Sequence, residues 1–291
     1  MVVSPVKPTL EVRAVGAGDS EAVCRLLLEF RNPRMSKEDW RRMLFSYAWD
    51  GLPERGYALY AGGEVVGFLG TIFSKRRLAG REHLVCSLSS WLVREAYRTA
   101  SMLLLKPILS RRDCTIVNCT PSPRAYDIFK KLGFVPLESR RLLLLPIVGP
   151  SLVGGSFTGV VREMLPALPP DEQRICRELS AVNGVHHVLL RRGSQQCYLI
   201  ATRLRVKRLP FAELHYIGNR DFFWSNRALA HWAFLCSFRR PMFALDRRFA
   251  DGRPVGFALS RNMRRLYRPL LTGTPPGAID NLYSELMSLK M

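Results

Sequence analysis

The chain has 291 residues, 47% of them apolar, which is enough for two ordinary domains or one large one with real cores. No long low-complexity tract argues for disorder. The 44 Lys and Arg against 24 Asp and Glu leave a net charge of +20, which favours anionic partners: nucleic acid, a membrane surface or phosphate-bearing small molecules.

The 7 cysteines are odd in number, form no CxxC pair and lie mostly in apolar patterns, as suits reduced thiols in a cytosol. The start, MVVSPVKPTLEV, lacks the continuous apolar core of a signal peptide. The apolar run from Leu142 to Val148 is too short to span a bilayer and contains Pro146. A soluble, cytoplasmic protein without a membrane span is the expectation.

Thr9 to Val15 alternates as a strand. Asp19 or Ser20 can cap a helix with Val23, Leu26, Leu27 and Phe30 apolar, and a second helix follows Ser36 with Trp40, Met43, Leu44 and Tyr47 at helical spacing. Tyr57 to Tyr60, the Gly62-Gly63 turn and Val65 to Phe73 predict a hairpin. From Glu82 the residues Leu84, Cys86, Leu88 and Leu92 alternate with Val85, Ser87, Ser89, Trp91 and Val93, the pattern of a strand covered on both faces. A polar turn, Arg94 to Thr99, then leads into an apolar run that reads as a buried helix. A strand turning sharply into a helix aims free N–H groups and the positive end of the dipole at one point, which makes an anion site.

Cys114 to Thr120 is a further strand. Ser122 fits an N-cap, Pro123 the first helical position and Gly133 the C-terminal stop of the helix between them. Arg140 to Leu145 is one more strand. From Pro146 to Pro170 prolines and glycines concentrate, marking a boundary or a long surface crossing.

Beyond it a weak internal repeat follows. Asp171 to Val182 reads as a helix, His186 to Leu190 and Gln196 to Val206 as a hairpin, Phe211 to Ile217 as a strand, Phe222 to Phe238 as a helix and Met242 to Asp246 as a last strand. The turn at Gly63 precedes Cys114 by 51 positions, and Gly193 precedes Met242 by 49. The domains expected are therefore 1–147 and 170–291, joined by a linker at 148–169.

Tyr97-Arg98 ahead of the buried run, and Arg124 to Phe134 ending in Leu132-Gly133-Phe134, together resemble the two signatures of the GNAT acetyltransferases, in their order and spacing. The resemblance covers residues 9 to 145 or so. It implies an α/β (α+β) fold, a mixed sheet flanked by helices, here as a tandem of two copies with the second degenerate. It also implies an acyl-CoA co-substrate, acetyl-CoA first of all, with its pyrophosphate held by Arg98 and by the backbone of Thr99, Ala100, Ser101 and Met102. Ser101 and Leu103 stand where the family prefers small residues.

In such enzymes a splayed central strand offers backbone N–H groups to the thioester and the pantetheine arm. Leu92, Val93 and Arg94 occupy that place here, and Ser122 borders the same site. The register that carries a carboxylate base in some members falls on Ser87, which is no ordinary base. The tyrosine that protonates the thiolate in many members is Phe129 here, and Tyr126, one turn earlier, can substitute only if the helix rotates. Trp40, Tyr47 and Trp49 follow the first strand where the family places its acceptor cleft, although burial in a core is the commoner fate of such aromatics.

The second copy lacks the anion turn, so no cofactor is placed in it. Its isolated Glu213 is expected in an ion pair with an arginine or, less simply, facing the cleft between copies. His186 and His187, adjacent in a strand, point to opposite faces, and no metal site is expected. Basic clusters at Lys75 to Arg77, Arg203 to Arg208, Arg239-Arg240 and Arg261 to Arg268 read as solvated charge. Nucleic acid is a partner that the charge permits, but no zinc-finger or RNA-binding signature supports it.

Three readings follow. The first is an acyl-CoA-dependent N-acyltransferase with a small, and by charge an anionic, acceptor between the copies. The second is a catalytically weakened GNAT-like binding module. The third is a nucleic-acid or aminoacyl-transfer protein resembling the Fem-type transferases.

Overall fold

The computed structural model describes residues 9–30, 35–47, 49, 52–78, 80–137, 140–253, 255, 258–270 and 276–287. The expectation about the first residues, 1–8, lies outside these. Among the described residues no helix is long and apolar enough to cross a membrane. Six of the seven cysteines are buried, Cys236 is exposed, and all are free.

The first half runs β1 (Leu10–Val15), α1 (Ser20–Leu27), α2 (Lys37–Leu44), β2 (Gly56–Ala61), β3 (Glu64–Leu78), β4 (Arg81–Val93), a 3-10 run (Glu95–Leu105), α3 (Lys106–Ser110), β5 (Cys114–Asn118), α4 (Pro123–Lys131), β6 (Val135–Pro136) and β7 (Arg140–Leu144). Local chemistry explains several boundaries. The Ser36 hydroxyl accepts from the Asp39 N–H at 3.2 Å and the Asp39 carboxylate from the Ser36 N–H at 3.0 Å, a reciprocal cap on α2. Ser122 caps α4 by accepting from the Ala125 N–H, and Gly133 ends it at φ +84°.

The second half runs β8 (Gly155–Thr158), α5 (Val161–Met164), α6 (Pro170–Ser180), β9 (Val185–Arg192), β10 (Gln195–Val206), β11 (Leu209–Ile217), α7 (Arg220–Ser225), α8 (Arg227–Phe238), β12 (Met242–Asp246), β13 (Ala258–Asn262) and β14 (Leu266–Arg268). Three expectations change here. The helix expected over Phe222 to Phe238 breaks at Asn226, whose buried side-chain amide donates to the Phe222 carbonyl at 2.9 Å, an alternative to the helical backbone bond. The stretch 148–169 is not an empty linker, since β8 pairs with β9 as the edge of a sheet. Gly155 serves close approach: a Cβ on it would come within 2.7 Å of Leu229 and 2.8 Å of the Ser151 carbonyl. Met242 to Asp246 is also not the last strand.

Among the described residues the strands form two seven-stranded sheets, in the orders β1-β2-β3-β4-β5-β14-β6 and β13-β7-β12-β11-β10-β9-β8. Each half lends a strand to the other. β14, from the end of the chain, lies antiparallel between β5 and β6 of the first sheet. β7, from the first half, lies antiparallel between β12 and β13 of the second. The exchange completes two sheets that would otherwise each lack an interior strand and expose its neighbours' edges.

Buried charges clasp the exchanged strands. Arg141 on β7 meets Glu213 on β11 at 2.5 Å, so Glu213 is an ion-pair residue. Arg265, just ahead of β14, meets Asp246 at the end of β12, which also bonds Arg248 and Asn281, each at 2.8 Å. Burial would raise the Asp246 carboxyl, but Arg265 and Arg248 hold it down at about 2.

The copies also share apolar core. Val23, Leu27, Trp40 and Leu44 of the first half pack in one cluster with Cys176, Leu179 and Tyr198 of the second and with Leu282, Tyr283 and Met287. Tyr47 and Trp49 belong to it, stacked at 4.4 Å, with the Trp49 indole donating to the Phe73 carbonyl. They are core, not pocket wall.

Candidate active site

The site forms where two parallel strands part. β4 and β5 pair from Leu84–Cys114 to Leu88–Asn118, after which β5 ends while β4 continues to Val93 against β3 alone. Within that free stretch Gly70 faces Ser89 and Phe68 faces Leu92, so Ser90 and Trp91 oppose Leu69 alone. This is a β-bulge, with Ser90 at φ +55°. Gly70 permits the close approach, because a Cβ there would stand 3.0 Å from the Ser89 carbonyl. The bulge and the parting strands open a cavity of about 600 Å³.

Of the residues expected at a cofactor, Leu92, Val93, Arg98, Ser101 and Ser122 line this cavity. Arg94, Thr99, Ala100 and Met102 do not. The Arg94 guanidinium is tied to Glu29 at 3.0 Å and Glu64 at 2.6 Å, and its N–H donates to the Val66 carbonyl. Since successive N–H groups of a strand point to opposite edges, the Val93 N–H points into the opening. Arg98 sits exposed at the rim, 3.8 Å from Glu95.

Thr99 to Met102 fall inside the 3-10 run rather than at the free first turn of an α-helix, so their N–H groups turn back on carbonyls three residues earlier. Pro107 contributes to this geometry. It has no N–H to reach Leu103, whose carbonyl accepts from Lys106 instead.

The two expected catalytic side chains are not in the cavity. Ser87 is buried with its hydroxyl unpartnered among the described residues, on the face of β4 that carries Val85, below the opening. Tyr126 packs half-buried against the first-half core with Lys130 over its ring, because the face of α4 toward the cavity is Ala125, Ile128 and Phe129. Trp40 does reach the cavity, and Phe30 stacks on it at 5.8 Å.

The residue that sequence reasoning missed is Glu285. It stands at the vertex of the opening, among Ser89 on β4, Asn118 at the end of β5 and Thr120 just past it, 1% exposed. One carboxylate oxygen accepts from the Thr120 hydroxyl, and the other has no hydrogen-bond partner among the described residues. Burial pushes the carboxyl up to about 7, against the opposing pull of the Thr120 and Ser89 hydroxyls and of Arg265. A carboxylate that titrates near neutrality and lines a cavity is equipped to move a proton.

In the second sheet the matching opening is filled by the chain itself. β11 and β12 pair only from Phe211–Met242 to Glu213–Ala244, and past that point the Asn281 N–H donates to the His215 carbonyl at 3.4 Å. Asp246, fifth residue of β12, stands where Asn118, fifth residue of β5, lines the first cavity. His187 bonds the Tyr198 hydroxyl at 2.6 Å and His186 packs on Phe238, so the two point apart.

Comparison with known proteins agrees with this architecture. No family model matches the chain, and no curated protein matches its sequence. Solved structures do match. A GCN5-related N-acetyltransferase from Anabaena variabilis superposes with a TM-score of 0.60 at 14% identity, over 90% of this chain and 73% of that one. One from Kribbella flavida gives 0.60 at 15%, over 91% and 72%. A tandem GNAT protein from the clavulanic acid biosynthesis pathway gives 0.55 at 12%, over 91% of this chain and 100% of that one. The chain has the GNAT fold, in a two-copy arrangement of mixed sheets flanked by helices.

Proposed function

We propose that the chain is an acyl-CoA-dependent N-acyltransferase, with acetyl-CoA the first co-substrate to test, working in the first copy's cavity. The observation that carries this reading is the buried Glu285 carboxylate at the vertex of the parted strands, beside a strand edge with a free N–H. In the proposed reaction Glu285 takes the proton of the acceptor amine as its nitrogen attacks the thioester carbonyl carbon. The Val93 N–H donates to the oxygen that becomes negative. The C–S bond then breaks and the thiolate leaves, to be protonated by water, since Phe129 has no proton to give. Arg98 and Ser101 at the rim suit the phosphates of the co-substrate. A cytoplasmic site supplies that co-substrate and keeps the thiols reduced.

A second reading, a weakened module that binds without turnover, is favoured by the 3-10 run, which engages the N–H groups the family aims at pyrophosphate. Calorimetric titration with acetyl-CoA, and release of free thiol from it over a panel of primary amines, separates the two. Binding with amine-dependent thiol release supports the transferase. Binding without release for any amine supports the module. No heat with acetyl-CoA overturns both, and a titration with RNA then tests the nucleic-acid reading.

A further inference from the structure

Helix α8 is apolar around much of its circumference. Leu229, Ala230, Ala233 and Phe234 are buried on its inner side, while Trp232 is 51% and Leu235 40% exposed on its outer side, with Cys236 beside them. The chain between β7 and α5 follows the same helix. The Leu229 N–H donates to the Ser151 hydroxyl at 3.3 Å, Gly149 approaches Ala228, and Gly159 approaches Ser237 and Phe238. That path leaves Val148 at 90% and Val153 at 77% exposure around the helix. Leu152, Phe157, Leu229 and Trp232 wall a shallow groove between them, of about 430 Å³. So concentrated an apolar face on a soluble fold marks an interaction site.

Basic side chains frame it. Arg227 opens α8, and Arg239 and Arg240 close it. Arg203 and Arg205, exposed on β10, act on Arg240, and Arg203 and Arg240 both act on His186, whose ring lies 4.2 Å from that of Phe238 at the end of the same helix. Glu163 on α5, by the same path of chain, accepts from Thr158.

We propose that this face docks on an anionic phospholipid surface, with Trp232, Leu235, Val148 and Val153 entering the interface and Arg203, Arg205 and Arg239 against the headgroups. Charge decides among occupants. A second copy would bring another +20 toward this one, which opposes association. Nucleic acid would answer the arginines but leave the valines and Leu235 without an apolar partner. An anionic bilayer answers both, with an indole at the level where indoles partition.

The test uses the full chain with vesicles of phosphatidylcholine, alone or with phosphatidylglycerol admixed. Cosedimentation with the anionic vesicles only, weakened at high salt, is expected. Trp232→Ser with Leu235→Ser, and separately Arg203→Glu with Arg239→Glu, should each weaken it roughly 10-fold or more. These residues are exposed, so thermal unfolding should be unchanged. A polarity-sensitive dye on Cys236 should brighten when anionic vesicles are added to the otherwise unsubstituted chain. Equal binding to neutral vesicles, no binding, or no dye response overturns the proposal. So does a dye response to protein concentration alone, which assigns the face to a second copy, or to duplex RNA, which assigns it to nucleic acid.

Discussion

The Thr120 hydroxyl donates to the Glu285 carboxylate, joining two residues 165 positions apart in the chain. Thr120 lies two residues past the end of β5, and Glu285 comes from the segment whose Asn281 N–H donates to His215 of the second sheet. The carboxylate at the first copy's opening is thus delivered by the far end of the chain. Glu285→Gln should lower turnover about 10²- to 10⁴-fold, the usual range for a lost proton acceptor, with little change in acetyl-CoA affinity. In the unsubstituted chain kcat/KM should rise with pH through about 7, where the carboxyl loses its proton. Full activity of the Gln variant would remove Glu285 from the mechanism.

The same group sets a pH dependence of stability. Its carboxyl titrates at about 7 folded against an ordinary value of 4.5, so the folded chain binds this proton more tightly than the unfolded chain. The contribution is complete below the unfolded value and is lost as pH rises through about 7, on the order of 3 kcal/mol across that window. Denaturant midpoints measured along the window should fall with pH in the unsubstituted chain and fall less in Glu285→Gln. Parallel curves for the two would contradict the burial of a titrating carboxyl.

Arg98 borders the cavity with its guanidinium exposed and only a loose contact to Glu95. Arg98→Ala should leave the fold intact and weaken acetyl-CoA binding roughly 10-fold, the loss of one charge-assisted contact at a solvated rim. Calorimetry reads this directly, and unchanged affinity would move the phosphates elsewhere.

Arg265 is fully buried against Asp246. Arg265→Met should cost up to about 3 kcal/mol, because it removes one of the two buried cations that offset the Asp246 carboxylate and leaves Arg248 alone with it. The additional change Asp246→Asn should recover part of that loss in a double-mutant comparison of thermal unfolding.

A fragment of residues 1–149 lacks β14, the neighbour of both β5 and β6, and carries β7 with no sheet to join. It should be insoluble or inactive. A soluble fragment with full transferase activity would refute the interdependence of the halves.

Much of the fold is legible where the signal is local. Ser36, Ser122 and Gly133 announce helix ends by side-chain chemistry within three or four residues, and the alternation of β4 is carried by its own sequence. Glu213 also reads correctly as one half of an ion pair, though its partner Arg141 lies 72 positions away and bears no mark of it. Glu285 is illegible for a related reason: its carboxyl is raised by burial among residues such as Ser89, Asn118 and Thr120, none of them near it in sequence. β14 is three residues among arginines, too short to show a period, and its place is set by the gap between β5 and β6 rather than by its own composition. The 3-10 run escaped notice because an apolar stretch looks the same in either helix.

The exchange of strands has a consequence for how the molecule is made. A ribosome releases β1 to β6 in order, yet the strand that belongs between β5 and β6 is Leu266–Arg268, and the carboxylate of the first opening is residue 285. For most of the time of synthesis the first sheet waits with a vacant interior lane, open to any chain that pairs edges. Neither half can settle first and shelter the other, and no partly made chain holds the complete cavity. Quality control is therefore built into the order of translation: the cavity is completed only by the segment that also closes the fold.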